Sequence, residues 1–476
     1  MTSDHPLRTG SHDLPVTAVL EEFMTRGWAP RSTDPGTVYP VAAWAEKRRA
    51  RLSESFPGQR IVVPSGTFAT RSADQDYRFR PHSDHVWLTG SQTSDAVLVL
   101  EPLGGRGHDA VLYLRPRAER ADSDEFWRDR RYGELWAGRR SSLREESERF
   151  GVMTRNLDDL QTALSGATVT RLLRGVDSSV DALVTSGIAG GDGELAAVLA
   201  ELRLVKDDWE LEQLTDAVDI TVRGFGDVAA ELPAAIEHGE RWVEGTFWRR
   251  ARLEGNDVGY SSIVASGPHA TTLHWTSNDG PVRPGQLLLL DMGAENHALY
   301  TADISRTLPV SGTFTPLQRD LYSLVYAAQS AAIAAVRPGA RFRDFHNAGM
   351  AVLAHGLGDL GLLPCSVAEA LDPSSTIYRR WTLCGSGHML GLDVHDCAHA
   401  RAGTYLDGVL EPGHVLTVEP GLYLQADDLL LPEEMRGIGI RIEDDVVVTS
   451  SGARMLSDGL PRSADEVEAW LAAAGS

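Results

Sequence analysis

The fold of the carboxyl-terminal half is predicted from residues 287–307, LLLLDMGAENHALYTADISRT. Four leucines run directly into Asp291, so this carboxylate follows a buried strand and needs a partner, because burial of an unpaired charge is costly. The turn formers at 295–297 predict a hairpin, and Asp303 lies on its other arm. Since strand side chains alternate with period two, both carboxylates are expected on one face. Two buried acids side by side repel each other, and a divalent cation would relieve that repulsion.

Three more polar side chains interrupt apolar sequence further along the chain. Glu419 follows the strand-like run in HVLTVEPGLYL, and Glu443 lies inside GIGIRIEDDVVVT. His388 supplies the one imidazole, in the glycine-rich stretch GSGHMLGLDVHD. Any single carboxylate at a strand end can equally serve as a cap or a turn residue instead of a metal ligand. Together, four carboxylates and one histidine form an oxygen-rich set that favours Mn²⁺, Co²⁺ or Mg²⁺ over a thiolate-type zinc site.

Length and composition limit the class of protein. A chain of 476 residues is expected to form about two to three domains. The formal net charge of −22 argues against nonspecific binding to nucleic acid, because phosphate groups repel it. Three cysteines without a CxxC pair argue against a disulfide framework and for a reducing compartment. There is no apolar signal segment and no run of about 18 apolar residues, so we predict a cytoplasmic protein without a membrane span.

The sequence divides into four predicted segments. Residues 1–40, rich in Pro, Ser, Thr and Asp, are expected to form a loosely packed arm. Residues 41–195 contain a helical pattern in VAAWAEKRRARLSESF and strand patterns in RIVVPSG, HVWLTGS, AVLVLEP and AVLYLRP, which indicate an α/β domain. Residues 196–465 are predicted to form a second, mixed α+β domain that carries the carboxylates. Residues 466–476 remain as a carboxyl-terminal tail.

These segments resemble the pita-bread metallopeptidases, and in particular the aminopeptidase P family. The blocks DMG…TADISRT, SGH…GLDVHD, TVEPGLY and GIRIEDD match that family's signatures in order and approximate spacing. The resemblance implies a smaller amino-terminal α/β domain followed by a pita-bread catalytic domain. It also implies two divalent metal ions, most often Mn²⁺, with Co²⁺, Zn²⁺ or Mg²⁺ as alternatives. The metal ligands that it implies are Asp291, Asp303, His388, Glu419 and Glu443.

The resemblance also assigns supporting roles around the metal ligands. His274 and His395 match histidines that contact the substrate and assist proton transfer, although a structural histidine is the alternative for each. Glu419 is expected to act as general base as well as ligand. Arg441 and Tyr423 are expected to support the ligands by hydrogen bonds, and packing is an equal alternative for the tyrosine.

Cys384 departs from the family pattern. Relatives usually have His-Gly-x-Ser-His where this chain has Cys384-Gly385-Ser386-Gly387-His388. A neutral, less basic thiol therefore stands at the position of a substrate-pocket imidazole, and we expect altered substrate preference or reduced peptidase activity. A nucleophilic role for Cys384 has little support, because metal-activated water already serves as the nucleophile in this family.

The predicted function is release of the first residue from peptides with proline in the second position. This prolyl specificity is implied by the resemblance alone. Two enzyme alternatives stay open: a prolidase that cleaves Xaa-Pro dipeptides and, because of Cys384, an enzyme acting on a small amide or amino-acid derivative. A metal-free binding homologue is an alternative of another class, which the intact ligand set disfavours. Relatives form dimers or tetramers, so we expect a homodimer or homotetramer with a peptide or small amide substrate and with neither nucleic acid nor membrane as partner.

Overall fold

The structure, a computed structural model, describes residues 7–10, 12–31, 37–105, 107–121, 123–166, 168–184, 191–383 and 385–475. The chain forms two compact units, Met1–Leu202 and Arg203–Ser476. The boundary predicted between residues 195 and 196 falls inside the helix Gly191–Leu204. Within the described ranges, no helix combines the length and the apolar composition that crossing a membrane requires.

The first unit is built on a mixed sheet. Its strands are β1 Arg60–Pro64, β2 Thr70–Ser72, β3 Gln75–Asp76, β4 Val97–Pro102, β5 His108–Leu114, β6 Met153–Asn156 and β7 Thr170–Leu172. Five of them form the sheet in the order β6-β5-β4-β1-β7, with β1 antiparallel to β4 and parallel to β7. The helices are α1 Ala18–Met24, α2 Val41–Ser55, α3 Ser83–Thr89, α4 Glu125–Arg128, α5 Glu134–Ala137, α6 Leu143–Phe150, α7 Leu160–Leu164 and α8 Ser178–Leu183, followed by α9 Gly191–Leu204. Val62, Val99 and Leu172 pack in the core, and the predicted α/β class is confirmed.

The strand predicted at HVWLTGS is wrong, because this segment forms helix α3. His82 begins the helix by accepting the backbone N–H of Asp84 with its ring Nδ1, and Gly90 ends it with a left-handed φ of +74°. All residues of the helix are buried. A short helix that is buried on every side has no polar stripe, so its sequence cannot be distinguished from that of a strand by periodicity.

The second unit contains small antiparallel sheets and longer helices. Its strands are β8 Asp257–Val258, β9 Ile263–Ser266, β10 Leu287–Met292, β11 Ala294–Glu295, β12 Ile304–Pro309, β13 Val415–Val418, β14 Gly421–Leu424, β15 Ile438–Arg441, β16 Asp444–Val448 and β17 Ala453–Met455. They pair in the orders β12-β10-β9, β11-β8, β13-β16-β17 and β14-β15. The helices are α10 Asp208–Ala230, α11 Leu232–His238, α12 Glu240–Glu254, α13 Pro316–Ala335, α14 Phe342–Asp359, α15 Val367–Leu371 and α16 Ala464–Ala474.

Side-chain caps explain where several of these helices begin. Asp207 accepts the backbone N–H of Glu210 at the start of α10, and the Glu210 side chain returns to the backbone of Asp207. Ser463 and Glu466 form the same reciprocal pair at the start of α16. Residues 466–476, assigned to a tail from the sequence, therefore lie largely within a capped helix.

The predicted hairpin is formed by β10 and β12, which pair Asp291 with Ser305 in antiparallel register. Every residue of β10 is buried, which explains its unbroken apolar run. Asn296 closes the turn by accepting the backbone N–H groups of Ala298 and Tyr300. The hairpin thereby places Asp303 directly before β12, next to the end of β10 that carries Asp291.

Candidate metal centre

One cavity of about 240 Å³ in the second unit brings together every described residue that was predicted for the site. These residues come from separate stretches of the chain between residues 274 and 443. The predicted site residues that line the cavity are His274, Asp291, Asp303, His388, His395, Glu419, Tyr423, Arg441 and Glu443. Cys384, the predicted pocket variant, lies outside the described residues.

The strand pairings bring the two glutamates together. Strands β13 and β16 pair Val418 with Asp444, and strands β14 and β15 pair Gly421 with Arg441. Glu419 and Glu443 lie in the two short linkers between these paired strands, and both line the cavity. The backbone N–H of Glu443 also donates to the carbonyl of Ser305 at 3.1 Å, which links this linker to the hairpin.

The backbone of His388 is hydrogen-bonded to Thr417 in β13. Its carbonyl accepts the N–H of Thr417 at 2.8 Å, and its own N–H donates to the Thr417 hydroxyl at 3.1 Å. The ring Nε2 lies 3.3 Å from Asp303 Oδ2 and 3.6 Å from Glu419 Oε1. Asp303, His388 and Glu443 each offer a ligand atom, and these three atoms lie within 4.8 Å of one another. The donor set and its spacing fit a divalent ion that prefers oxygen ligands.

Tyr260 is a site residue that the sequence reasoning missed. Its hydroxyl lies 2.6 Å from Asp291 Oδ1 and 2.6 Å from Asp303 Oδ1, so it joins the two aspartates. Burial, together with the charge of Asp291, raises the pKa of Tyr260 well above its ordinary value. The hydroxyl therefore keeps its proton as a hydrogen-bond donor. Only the pairing of β9 with β10, which sets Ile263 opposite Asp291, would have indicated this tyrosine.

Arg441 joins three residues of the site by hydrogen bonds. It donates to Asp291 Oδ2 at 2.6 Å, to Ser305 Oγ at 2.9 Å and to the Tyr423 hydroxyl at 3.0 Å. Ser305 in turn donates to Glu443 Oε2 at 2.6 Å. The arrangement supports the predicted roles of Arg441 and Tyr423 beside the ligands. Ser305 was missed, although its place opposite Asp291 follows from the hairpin register.

Burial and mutual repulsion perturb the acids at the base of the cavity. Burial, together with the charges of Asp303 and Glu419, raises the pKa of Glu443 well above its ordinary value. Burial and the neighbouring Asp291 likewise raise the pKa of Asp303. Burial opposes a charge on His388, but the hydrogen bond to Asp303 and the charges of Asp303 and Glu419 together outweigh it and raise the pKa of His388 to about 9. Protons relieve the repulsion in the metal-free protein, and divalent cations would replace them.

This linkage predicts a pH-dependent stability for the metal-free protein. His388 binds its proton more tightly in the folded state, so its contribution is full below its unfolded pKa of about 6.5 and is lost as the pH rises through about 9. Asp303 and Glu443 act in the same direction. We expect the free energy of unfolding to fall by about 3 kcal/mol between pH 6.5 and 9 from His388 alone.

Urea unfolding of chelator-treated protein at stepped pH measures this effect. Protein loaded with Mn²⁺ is the control, because its ligands are already deprotonated and its stability is expected to vary less over the same range. A metal-free protein that gained stability between pH 6.5 and 9 would contradict the prediction.

Two histidines lie at the exposed rim of the cavity, above the buried acids. The ring of His395 meets that of His388 edge-to-face, with the centroids 4.4 Å apart. Burial lowers the pKa of His395, and the nearby His388 adds to this effect. Ile263, Leu273 and Val394 add apolar surface to the cavity. The rim therefore combines two imidazoles with an apolar wall, above a base that is rich in carboxylates.

The loop that carries His274 is held by a fully buried glutamate at the start of α12. Glu240 accepts hydrogen bonds from the backbone N–H groups of Ser266 and Gly280, at 2.8 and 2.7 Å. It also contacts His269 Nδ1 at 2.9 Å and accepts from Trp275 Nε1 at 3.0 Å. These four contacts enclose residues 266–280 on both sides of His274, so a carboxylate outside the cavity fixes this part of the rim.

The sequence matches two family models. Metallopeptidase family M24 matches residues 212–450, and the aminopeptidase P N-terminal domain matches residues 45–171. The chain is similar to Xaa-Pro aminopeptidase 1 of Streptomyces coelicolor, with 55% identity that covers 96% of this chain and 93% of that relative.

Solved structures give the same result. Aminopeptidase P from Escherichia coli with the inhibitor Pro-Leu has a TM-score of 0.79 and 30% identity, over 92% of this chain and 99% of that one. Zn-substituted E. coli aminopeptidase P in complex with product has a TM-score of 0.80 and 31% identity, over the same shares of the two chains. The likeness extends over nearly the whole length of both proteins.

Proposed function

Because this chain belongs to metallopeptidase family M24 and is an Xaa-Pro aminopeptidase, we propose that its carboxylate-lined cavity is the site of peptide cleavage. The substrate is a peptide with proline in second position, from which the first residue is released. The observation that carries this proposal is the convergence of Asp303, His388 and Glu443. The solved relative in complex with Pro-Leu supports a cavity that accepts a prolyl group.

The metal ions are proposed to be held by five side chains. Two divalent ions bound there would lower the pKa of a water molecule and polarise the carbonyl of the scissile peptide. Mn²⁺ is the proposed ion because the donors are mostly oxygens, with Co²⁺, Zn²⁺ and Mg²⁺ as alternatives. The Zn-substituted relative is consistent with a site of this type that accepts more than one kind of metal ion. The proposed ligands are Asp291, Asp303, His388, Glu419 and Glu443.

The remaining steps belong to the side chains of this protein. Glu419 accepts the proton of the attacking water. His274 and His395, at the rim, donate hydrogen bonds to the carbonyl oxygen as it gains negative charge. They also assist the transfer of the proton that Glu419 took from water to the leaving proline nitrogen, which carries no hydrogen in the peptide. Carboxylates at the base hold the free amino group of the substrate, which explains why cleavage is restricted to the first residue.

Substrate length and sequence test this function. With Mn²⁺ added, we expect the purified protein to cleave an Xaa-Pro-Yaa tripeptide and to release free Xaa, measured by chromatography. The matched tripeptide Xaa-Ala-Yaa is expected to be cleaved far more slowly. Treatment with a chelator is expected to abolish cleavage, and Mn²⁺ to restore it. Cleavage of the Xaa-Pro dipeptide alone would favour the prolidase alternative. A metal-loaded protein that cleaves neither peptide would contradict the proposal.

We also propose that the protein is a cytoplasmic homodimer or homotetramer. Both cysteines that the structure describes, Cys365 and Cys397, are free thiols, which is consistent with a reducing compartment. The oligomer is proposed from the family resemblance, and light scattering coupled to size-exclusion chromatography gives the number of subunits.

A further inference from the structure

Lysine is rare in this chain, and one of its lysines is buried. Of the 45 lysine and arginine residues, only Lys47 and Lys206 are lysines. Lys47 is exposed, whereas only 1% of the Lys206 side chain is exposed. Long charged side chains are almost never fully buried unless they are paired. The burial of Lys206 therefore indicates a specific partner.

The partner is Asp396, the residue directly after His395. Lys206 Nζ donates to Asp396 Oδ2 at 2.9 Å, and Arg203 donates to Asp396 Oδ1. Arg203 also donates to Asp393 Oδ2 at 2.9 Å. Burial alone would raise the pKa of Asp396, but the charges of Arg203 and Lys206 outweigh it and hold that pKa below its usual value. A buried carboxylate thus meets two cations from a segment 190 residues away in sequence.

Arg203, Lys206, Asp393 and Asp396 form an ion cluster. It links the segment 203–206 to the loop that carries His388 and His395. The backbone N–H of Asp396 donates to the carbonyl of Met389 at 2.9 Å, so the two ends of the loop are joined. Gly391 leaves the space that the cluster occupies, because a Cβ there would lie 2.3 Å from Asp396 Oδ2. The cluster and the backbone bond therefore constrain the same few residues.

The cations are themselves anchored to the strand that leads to Glu419. Lys206 donates its backbone N–H to the carbonyl of Gly413 at 2.9 Å, and Val205 forms a bridge with His414. His414 directly precedes β13. The segment 203–206 therefore links the loop that carries the histidines to the strand that precedes Glu419.

We propose that Lys206 and Arg203 are positioning residues for His395, acting through Asp396 to fix the loop in the geometry that catalysis requires. Neither cation lines the cavity. This inference rests on the proposed function. A displacement of about 1 Å in a reacting group can reduce a rate by two orders of magnitude, so fixing the loop is a sufficient role for the cluster.

Lys206→Met tests the proposal, because methionine fills a similar volume without the charge. In full-length protein loaded with Mn²⁺, we expect kcat on the Xaa-Pro-Yaa tripeptide to fall about tenfold, with KM and metal content nearly unchanged. Lys206→Arg, which keeps the charge, is expected to recover part of the loss. Lys47→Met is the matched control, since it removes the only other lysine, and it is expected to change neither kcat nor KM.

A double-mutant cycle separates positioning from general stabilisation. If Lys206 acts through His395, then Lys206→Met is expected to change kcat by less than about twofold in a His395→Ala background. If the Lys206→Met chain does not fold, Arg203→Gln is measured in the same cycle. Equal losses with and without His395, or an unchanged kcat in the single variants, would overturn this inference alone. Absence of cleavage by the wild-type protein in the same assay would instead refute the proposed function.

Discussion

Asp303→Asn is expected to reduce peptidase activity by at least about 1,000-fold and to remove most of the bound metal. The side chain is nearly the same size, so the fold is expected to remain. The substitution removes the negative charge of the side chain. In the wild-type protein, Asp303 accepts a hydrogen bond from the Tyr260 hydroxyl at 2.6 Å and lies 3.3 Å from His388 Nε2. An amide in this place is neutral and supplies a weaker ligand. Activity and metal content per chain are the two measurements.

An exposed aspartate of the same unit supplies the matched control for this prediction. Asp279→Asn makes the same chemical change outside the cavity and is expected to leave activity and metal content at the wild-type level. If Asp303→Asn kept more than about a tenth of the activity with a full complement of metal, then Asp303 would not be a ligand that the reaction requires.

His274→Ala is expected to lower kcat by about 100- to 1,000-fold while metal remains bound. The imidazole lines the same cavity as Glu419. In the proposed reaction it donates to an oxygen that gains charge, and donors of this kind contribute mainly in the transition state. We therefore expect kcat to fall more than KM rises.

The control for His274→Ala is a second exposed histidine. His355→Ala changes a side chain on α14 outside the cavity and is expected to have no effect on kcat. A loss of metal in His274→Ala would indicate that this histidine is a ligand, and an unchanged kcat would refute its role in the reaction. The contrast with Asp303→Asn, in which metal and activity are lost together, separates the two kinds of residue.

Much of the site was predictable because its acids interrupt long apolar runs. A carboxylate that directly follows four leucines is expected to be buried and therefore to need a partner. The hairpin between Asp291 and Asp303 follows from the turn-forming residues and from the period-two alternation of strand side chains. The family, the fold and the aminopeptidase activity, predicted from the motif order, are confirmed by the family models and by the relatives. The role of each residue and the identity of the metal remain proposals.

The residues that were missed become neighbours only through tertiary structure. Tyr260 lies beside two aspartates because β9 pairs with β10, and nothing in the local sequence GYSSIV indicates a buried hydroxyl. Lys206 meets Asp396 across 190 positions, and a lysine in an acidic stretch looks like an ordinary surface charge. The helix α3 was mistaken for a strand because its caps were not recognised.

Anomalous X-ray diffraction from crystals loaded with Mn²⁺ tests most directly whether these side chains bind two metal ions. We predict two anomalous peaks in the cavity, about 3.5–4 Å apart, in contact with the proposed carboxylates and His388. Peaks at other places, or a cavity without any peak, would contradict the assignment of this cluster as the metal centre.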